Sequence, residues 1–128
     1  MALKPAVQQA IREIEETFAG RKVDVTEDGQ GGARVRVHDL HLGDQYKPSV
    51  SWVAFAITFQ YPEADVYPHF LVAGFARVDG KSLGESFGQA TWEESPVTQV
   101  SRRSNNRLQD LDTAAIKLNK VLAWIRSR

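Results

Sequence analysis

The chain has 128 residues, of which 42% are hydrophobic and 25% charged, as expected for one globular domain with a single core. Its formal net charge is zero, so no overall field attracts nucleic acid or anionic lipid, and its lack of cysteine excludes thiolate chemistry and suits a reducing compartment. It has neither the run of about 18 apolar residues that spans a membrane nor the apolar segment of a signal peptide. We therefore expect a cytoplasmic protein with no membrane partner.

The N-terminal segment has the apolar spacing of an amphipathic helix, since its apolar residues recur at intervals of three and four: Val7, Ile11, Ile14 and Phe18. Pro5 and Gly20 are suitable boundaries for this helix. Residues 21–25 and 33–37 then alternate between apolar and polar side chains, and the segment between them contains three glycines. This pattern predicts a β-hairpin.

Two further strands are predicted in the middle of the chain. Residues 38–49 are polar and rich in turn formers, so we expect a surface connection there. Residues 51–60 are apolar on both faces, which is typical of a central strand, and residues 69–78 follow as a fourth strand that bends near Gly74.

Residues 79–101 have no clear periodicity and contain three glycines and a proline, which predicts a long irregular segment with a functional or mobile role. The C-terminal part then regains helical spacing, which predicts one long helix over residues 106–126 from these positions: Leu108, Leu111, Ala115, Leu118, Leu122 and Ile125. Together these elements predict one α+β domain over residues 1–128. It has a four-stranded antiparallel meander, an N-terminal helix and a long C-terminal helix.

Two tyrosine-proline pairs, Tyr61-Pro62 and Tyr67-Pro68, follow the third predicted strand. Each proline fixes its own φ angle and disfavours helix for the tyrosine before it. The pairs therefore predict a rigid corner whose tyrosine rings cover the end of the sheet, either to cap the core or to frame a binding site.

The order of elements, together with this local sequence, resembles the ubiquitin-conjugating enzyme (UBC-like) family. The resemblance covers residues 5–126 and rests on the Phe59-Gln60-Tyr61-Pro62 turn, on Pro68-His69-Phe70 at the start of the fourth strand, and on Trp92 in GQATWEESP. More narrowly, SWVAFAITFQYPEADVYPHF and TQVSRRSNNRLQDLD look like bacterial ubiquitin-conjugating-enzyme-like proteins. Such proteins are found beside activating-enzyme-like and deubiquitinase-like partners.

The chain departs from that family where the chemistry would occur. At the offset of the family's thioester-forming cysteine it has Gly84, flanked by Ser82 and Ser86, and it lacks the family's His-Pro-Asn motif. The resemblance therefore implies a non-catalytic pseudoenzyme that binds a ubiquitin-like protein or an activating-enzyme-like partner, without a cofactor. Two alternatives stay open: an oxyester carrier using Ser82 or Ser86 with Asp79 or Glu85 as base, or a chain whose original cysteine was replaced.

The candidate binding residues lie around the tyrosine-proline corner and before the last helix: Tyr61, Pro62, Tyr67, His69, Trp92, Arg102, Arg103 and Arg107. For His69, packing or a hydrogen bond across the corner competes with an acid-base role. Trp124 is expected to anchor the last helix to the sheet or to serve as an interface anchor.

The three arginines suggest a phosphate or nucleic-acid binding module, since arginine forks and helix N-termini both bind anions. The neutral total charge makes nucleic acid the weaker partner. In the structural alternative, these arginines pair with Glu13, Glu15 and Glu16 while Ser104, Asn105 or Asn106 caps the helix. His38 and His41, with Asp39 and Asp44 nearby, have the spacing of metal ligands, but the signal is weak. We expect these histidines to lie at the surface and to bind no metal.

Overall fold

The computed structural model describes residues 2–104, 107–108 and 111–128. It contains two α-helices and eight β-strands: α1 (Pro5–Thr17), β1 (Val23–Glu27), β2 (Ala33–His41), β3 (Tyr46–Lys47), β4 (Val50–Ile57), β5 (His69–Val72), β6 (Ala76–Arg77), β7 (Phe87–Trp92), β8 (Ser95–Val100) and α2 (Ala114–Arg126). The α+β class and the two terminal helices are as predicted.

The main sheet has six strands in the order β1-β2-β4-β5-β8-β7, and every neighbouring pair is antiparallel. The prediction of a four-stranded sheet is therefore wrong. The strands predicted from residues 21–25, 33–37, 51–60 and 69–78 supply four of its six strands, and the hairpin β7–β8 extends it beyond β5. Residues 38–49 also differ from prediction, because β2 continues to His41 across a bulge and Leu40, Leu42 and Tyr46 are buried.

The fourth predicted strand divides at Gly74, whose φ of 76° turns the chain. Its second part, β6, leaves the main sheet and pairs with β3 in a two-stranded sheet. The Tyr46 hydroxyl on β3 donates a hydrogen bond of 2.7 Å to the Ile125 carbonyl of α2, so this small sheet holds the C-terminal end of the last helix.

Both helices belong to the main core, which packs them against one face of the main sheet. In α1 the buried residues are Val7, Ala10, Ile11 and Ile14. The core opposite them is formed by alternate residues of the central strands: Val35, Val37, Val53, Phe55, Ile57 and Leu71. This arrangement follows from the period-two and helical patterns in the sequence, which place each apolar set on one side of its element.

The last helix is shorter than predicted, because α2 begins at Ala114. The Thr113 side chain accepts a hydrogen bond from the Ile116 amide and so caps the helix, and Asp112 accepts one from the Leu108 amide. Leu108 and Leu111 are 57% and 64% exposed and do not join the core. Residues 105–106 and 109–110, including two of the proposed caps, lie outside the described residues.

The segment predicted to be irregular, residues 79–101, instead contains the hairpin β7–β8. Its signal in the sequence is weak, because Gly88 lies in one strand and Pro96 near the start of the other, where both residues lower strand propensity. The two-residue turn Glu93-Glu94 has positive φ at both positions, 50° and 65°, where turns of this kind normally have asparagine and glycine.

Because of this positive φ, we expect Glu94→Gly to raise the free energy of unfolding by about 0.5–1 kcal/mol. Urea denaturation followed by tryptophan fluorescence measures the change. Glu85→Gly is the matched control, since Glu85 is exposed and does not have positive φ, and there glycine only adds freedom to the unfolded chain and lowers stability. Equal losses in the two variants would contradict the assignment of this turn.

Candidate functional site

The corner between β4 and β5 carries both tyrosine-proline pairs, and its two tyrosines have different surroundings. Tyr61 is only 6% exposed, and its hydroxyl accepts a hydrogen bond of 3.2 Å from the Ala114 amide at the start of α2. Burial raises the pKa of the Tyr61 hydroxyl above its usual value, although the Ala114 amide opposes the change. Tyr61 thus covers the core and supports the N-terminus of α2, with Pro62 half-buried beside it.

Tyr67 lies at the surface side of the same corner. The Arg103 guanidinium stacks over its ring, with 4.6 Å between the guanidinium carbon and the ring centroid. Hydrogen bonds from Arg103 and Ser101 lower the pKa of the Tyr67 hydroxyl, because a positive donor favours the phenolate. The second tyrosine-proline pair therefore meets the arginine-rich segment rather than the core.

Between the two pairs, Asp65 forms a hydrogen-bonded network that the sequence did not reveal. Its carboxylate accepts from the Lys117 ammonium at 2.9 Å and from both the amide and the hydroxyl of Ser104, at 2.9 and 3.1 Å. Arg107 lies 3.5 Å from the same carboxylate and also donates to the Glu63 carbonyl. Burial acts to raise the pKa of Asp65, but the hydrogen bonds from Lys117 and Ser104 outweigh it and leave the pKa below its usual value.

Lys117 projects from α2 and is only 4% exposed, so the Asp65 carboxylate offsets the cost of burying its ammonium. We expect Asp65→Asn to lower the free energy of unfolding by about 3 kcal/mol at neutral pH, because it leaves the ammonium without a counter-charge. The double variant Asp65→Asn with Lys117→Met should recover most of the loss in chemical denaturation. Asp79→Asn is the surface control and should cost far less, since the Asp79–Arg77 pair is solvated. A loss no larger than that control would contradict the role given to Asp65.

His69, a candidate binding residue, is fully buried at the start of β5. Its ring lies 5.2 Å from that of Phe55, and neither ring nitrogen has a hydrogen-bond partner among the described residues. Burial, with the nearby Lys117 charge, lowers the pKa of His69 to about 3, while Asp65 acts in the opposite direction. In the folded protein the ring is therefore a neutral packing group that does not reach the surface.

This burial makes folding sensitive to acid. Unfolded His69 takes up a proton below its ordinary pKa of 6.5, whereas the folded form resists protonation down to about 3, so stability is lost as pH falls through that window. We expect His69→Leu to equal or exceed the wild type at pH 7, because it removes unbonded buried nitrogens. Its advantage should grow by about 1.4 kcal/mol per pH unit on acidification.

Urea denaturation of both proteins at a series of pH values between neutral and mildly acidic tests this expectation. The matched control is His41→Leu, since the His41 side chain is 51% exposed beside Asp44 and its ring stays in contact with water in the folded protein. Parallel pH dependence of the wild type and His69→Leu would refute the burial argument.

The candidate acyl acceptors lie in the loop before β7, where Ser82 is exposed and Ser86 half-buried. The Ser82 hydroxyl accepts a hydrogen bond of 3.2 Å from the Gly84 amide. Within the described part of the chain, no imidazole, amine or carboxylate hydrogen-bonds to either serine. Asp79, proposed as a base, is instead bound by Arg77 and the Lys81 amide, which hold its pKa below its usual value.

A cleft of about 730 Å³ opens beside this loop, between the loop, the β5–β6 turn and the hairpin. Its lining includes Ser82, Leu83, Phe75, Phe87 and Thr98. β7 forms one edge of the sheet, so its outer backbone groups have no neighbouring strand. The cleft therefore combines half-buried apolar side chains with an open strand edge.

Trp92 does not line that cleft. The hairpin curls over the second face of the sheet, where Trp92 stacks on Phe70 with 4.5 Å between ring centroids. At the tip of the same hairpin, Glu93 reaches Arg34 and Arg36 on β2, at 3.7 and 3.8 Å. The hairpin thus carries Trp92, a candidate binding residue, to the face opposite the helices and away from the serine loop.

The arginine cluster is also divided. Arg102 stacks over the Trp124 ring at 4.6 Å and Arg103 over Tyr67, whereas Arg107 turns to Asp65. In the described part of the chain, none of them pairs with the acidic residues of α1. Trp124 also stacks on Phe87, with 5.4 Å between centroids, so it anchors the last helix to the sheet as predicted.

The two other histidines have separate partners. His38 lies 2.8 Å from an oxygen of Asp24, and His41 lies 3.1 Å from an oxygen of Asp44. Across residues 2–104, 107–108 and 111–128, no three side chains of the types that bind metals come together. None of the helices described is both long and apolar enough to cross a bilayer.

Comparisons of this chain with protein-family models, with curated proteins and with solved structures find no match.

Proposed function

We propose that this chain is a non-catalytic, UBC-like binding component of a bacterial ubiquitin-like conjugation system, which engages a ubiquitin-like protein or an activating-enzyme-like partner. Two features that resemble the ubiquitin-conjugating enzyme family support the proposal. One is the tyrosine-proline corner after β4, and the other is the order of a helix, a meander and a helix, in which β1, β2, β4 and β5 are neighbours in the sheet. The β7–β8 hairpin is a departure from the expected four-stranded sheet and is not explained by the resemblance.

The observation that favours binding over catalysis is the chemistry of the serine loop. A serine hydroxyl with its ordinary pKa is a poor nucleophile at neutral pH and needs a base within hydrogen-bond reach. The only hydrogen bond to Ser82 among the described residues comes from the Gly84 amide, which does not activate the hydroxyl. With no cysteine in the chain, this loop also has no thiol that could form a thioester.

The cleft beside the loop is the place where we expect a partner to dock. Its volume is that of ordinary ligand and peptide sites, and the free edge of β7 offers main-chain hydrogen bonds to an extended segment. An extended tail lying along β7 would place its side chains against Leu83 and Phe87. This mode of docking needs no chemistry from either serine.

Incubation with an activating enzyme, ATP and the cognate ubiquitin-like protein tests the proposal. We expect a complex in size-exclusion chromatography but no covalent adduct in denaturing electrophoresis, and we expect Leu83→Asp to weaken the complex at least about tenfold, since it puts a charge on the apolar wall. Val78→Asp is the matched control, because Val78 is 58% exposed and lies outside the cleft lining.

A hydroxylamine-sensitive adduct that disappears with Ser82→Ala or Ser86→Ala would instead establish the oxyester carrier. The absence of any complex would contradict the pathway role.

A further inference from the structure

A small cationic pocket lies between residues 102–104 and the part of α2 from Lys117 to Trp124. Its volume is about 230 Å³, and it is lined by Arg102, Arg103, Ser104, Lys117, Lys120, Val121 and Trp124. Four of these seven side chains are cationic and none is acidic. The pocket is too small for most drug-sized molecules, so it suits a compact anionic group.

The two arginines are held in place by aromatic rings. The guanidinium carbons of Arg102 and Arg103 each lie 4.6 Å from a ring centroid, of Trp124 and of Tyr67 respectively. Both distances lie well within the range of favourable cation–π contact. In the part of the chain that the structure describes, neither guanidinium forms an ion pair, so the N–H groups that are not bound to the Tyr67 hydroxyl are available to a ligand.

The wall of the pocket is fixed before any ligand arrives. Lys117 donates to Ser104 and to Asp65, each at 2.9 Å, and Ser104 donates to Asp65, so the arginine segment is tied to α2. Lys120 at the rim is bound by Asp112 at 2.6 Å. A preformed site loses less conformational entropy on binding than one that must order its side chains.

The charges favour a doubly charged anion. Asp65 and Asp112 offset the lysines of the pocket, which leaves the two arginines as the excess positive charge. A phosphate monoester carries nearly two negative charges at neutral pH and presents three acceptor oxygens, which match two guanidinium forks. A carboxylate or a phosphodiester carries only one.

We propose that this pocket binds the phosphate group of a phosphate monoester, with Arg102 and Arg103 as the principal ligands, Lys120 at the rim and the half-buried Trp124 ring against the organic part of the ester. The site is separate from the serine loop, and the proposal is independent of any role in ubiquitin-like conjugation. The shared chemistry is the terminal phosphate, whether it belongs to a small metabolite or to a phosphorylated side chain.

Titration of the ¹⁵N-labelled protein with phenyl phosphate at pH 7.5 and low salt tests the proposal. The chain has three tryptophans, so three indole N–H signals report on three places, and we expect the Trp124 signal to move while those of Trp52 and Trp92 do not. Phenyl sulfonate and benzoate, which carry one charge, should bind at least about tenfold more weakly. We also expect the affinity to fall below about pH 6, because the phosphate of the ligand then takes up a proton while arginine keeps its charge.

Arg102→Ala and Arg103→Ala should each lower the affinity about tenfold or more, and Arg102→Lys should restore only part of it, because lysine keeps the charge without the fork. Arg12→Ala is the matched control, since Arg12 is an exposed arginine on α1 and should bind as the wild type does. Unfolding curves confirm that each variant is folded.

Comparison of a phosphoserine peptide with phenyl phosphate then distinguishes a phosphorylated side chain from a small phosphate monoester as the source. Equal binding of phenyl phosphate and benzoate, movement of all three indole signals, or unchanged affinity in both arginine variants would overturn the proposal. Tighter binding of a single-stranded oligonucleotide without terminal phosphate than of phenyl phosphate would assign the surface to nucleic acid instead.

Discussion

The buried ammonium of Lys117 is the constraint on which the C-terminal half of the structure depends. An ammonium at 4% exposure is stable only beside a counter-charge, and Asp65 supplies it from the corner between the two tyrosine-proline pairs. The same carboxylate binds Ser104 and Arg107. One carboxylate therefore connects the corner, the segment before α2 and the helix itself.

The hairpin β7–β8 is the second determinant of the architecture. β8 pairs with β5 and so extends the sheet. The tip of the hairpin then lies over the face that the helices leave open. Trp92 and Phe70 form a small second cluster there with Val97 and Ala54. As a result, the serine loop and Trp92 lie on different sides of the sheet.

Trp124 connects the two surfaces that the proposals concern. Its ring stacks on Phe87 at the base of the hairpin and carries Arg102 on the pocket side, while Arg128 lies 4.8 Å from its centroid. The cleft and the cationic pocket are thus neighbours across one aromatic side chain. We propose both as sites of contact, and among the described residues neither Ser82 nor Ser86 has a base within hydrogen-bond reach.

The sequence by itself determined the elements whose side chains repeat with a clear period: α1, the first hairpin, β4, and the core face of α2. Periodicity reveals these because it depends only on local geometry. The tertiary structure alone decided the β7–β8 strands, since pairing with β5 compensates for their weak local propensity. It also decided two further outcomes: Arg107 lies apart from Arg102 and Arg103, and His69 is buried. Each outcome depends on residues that are distant in sequence, and local patterns carry no information about such partners.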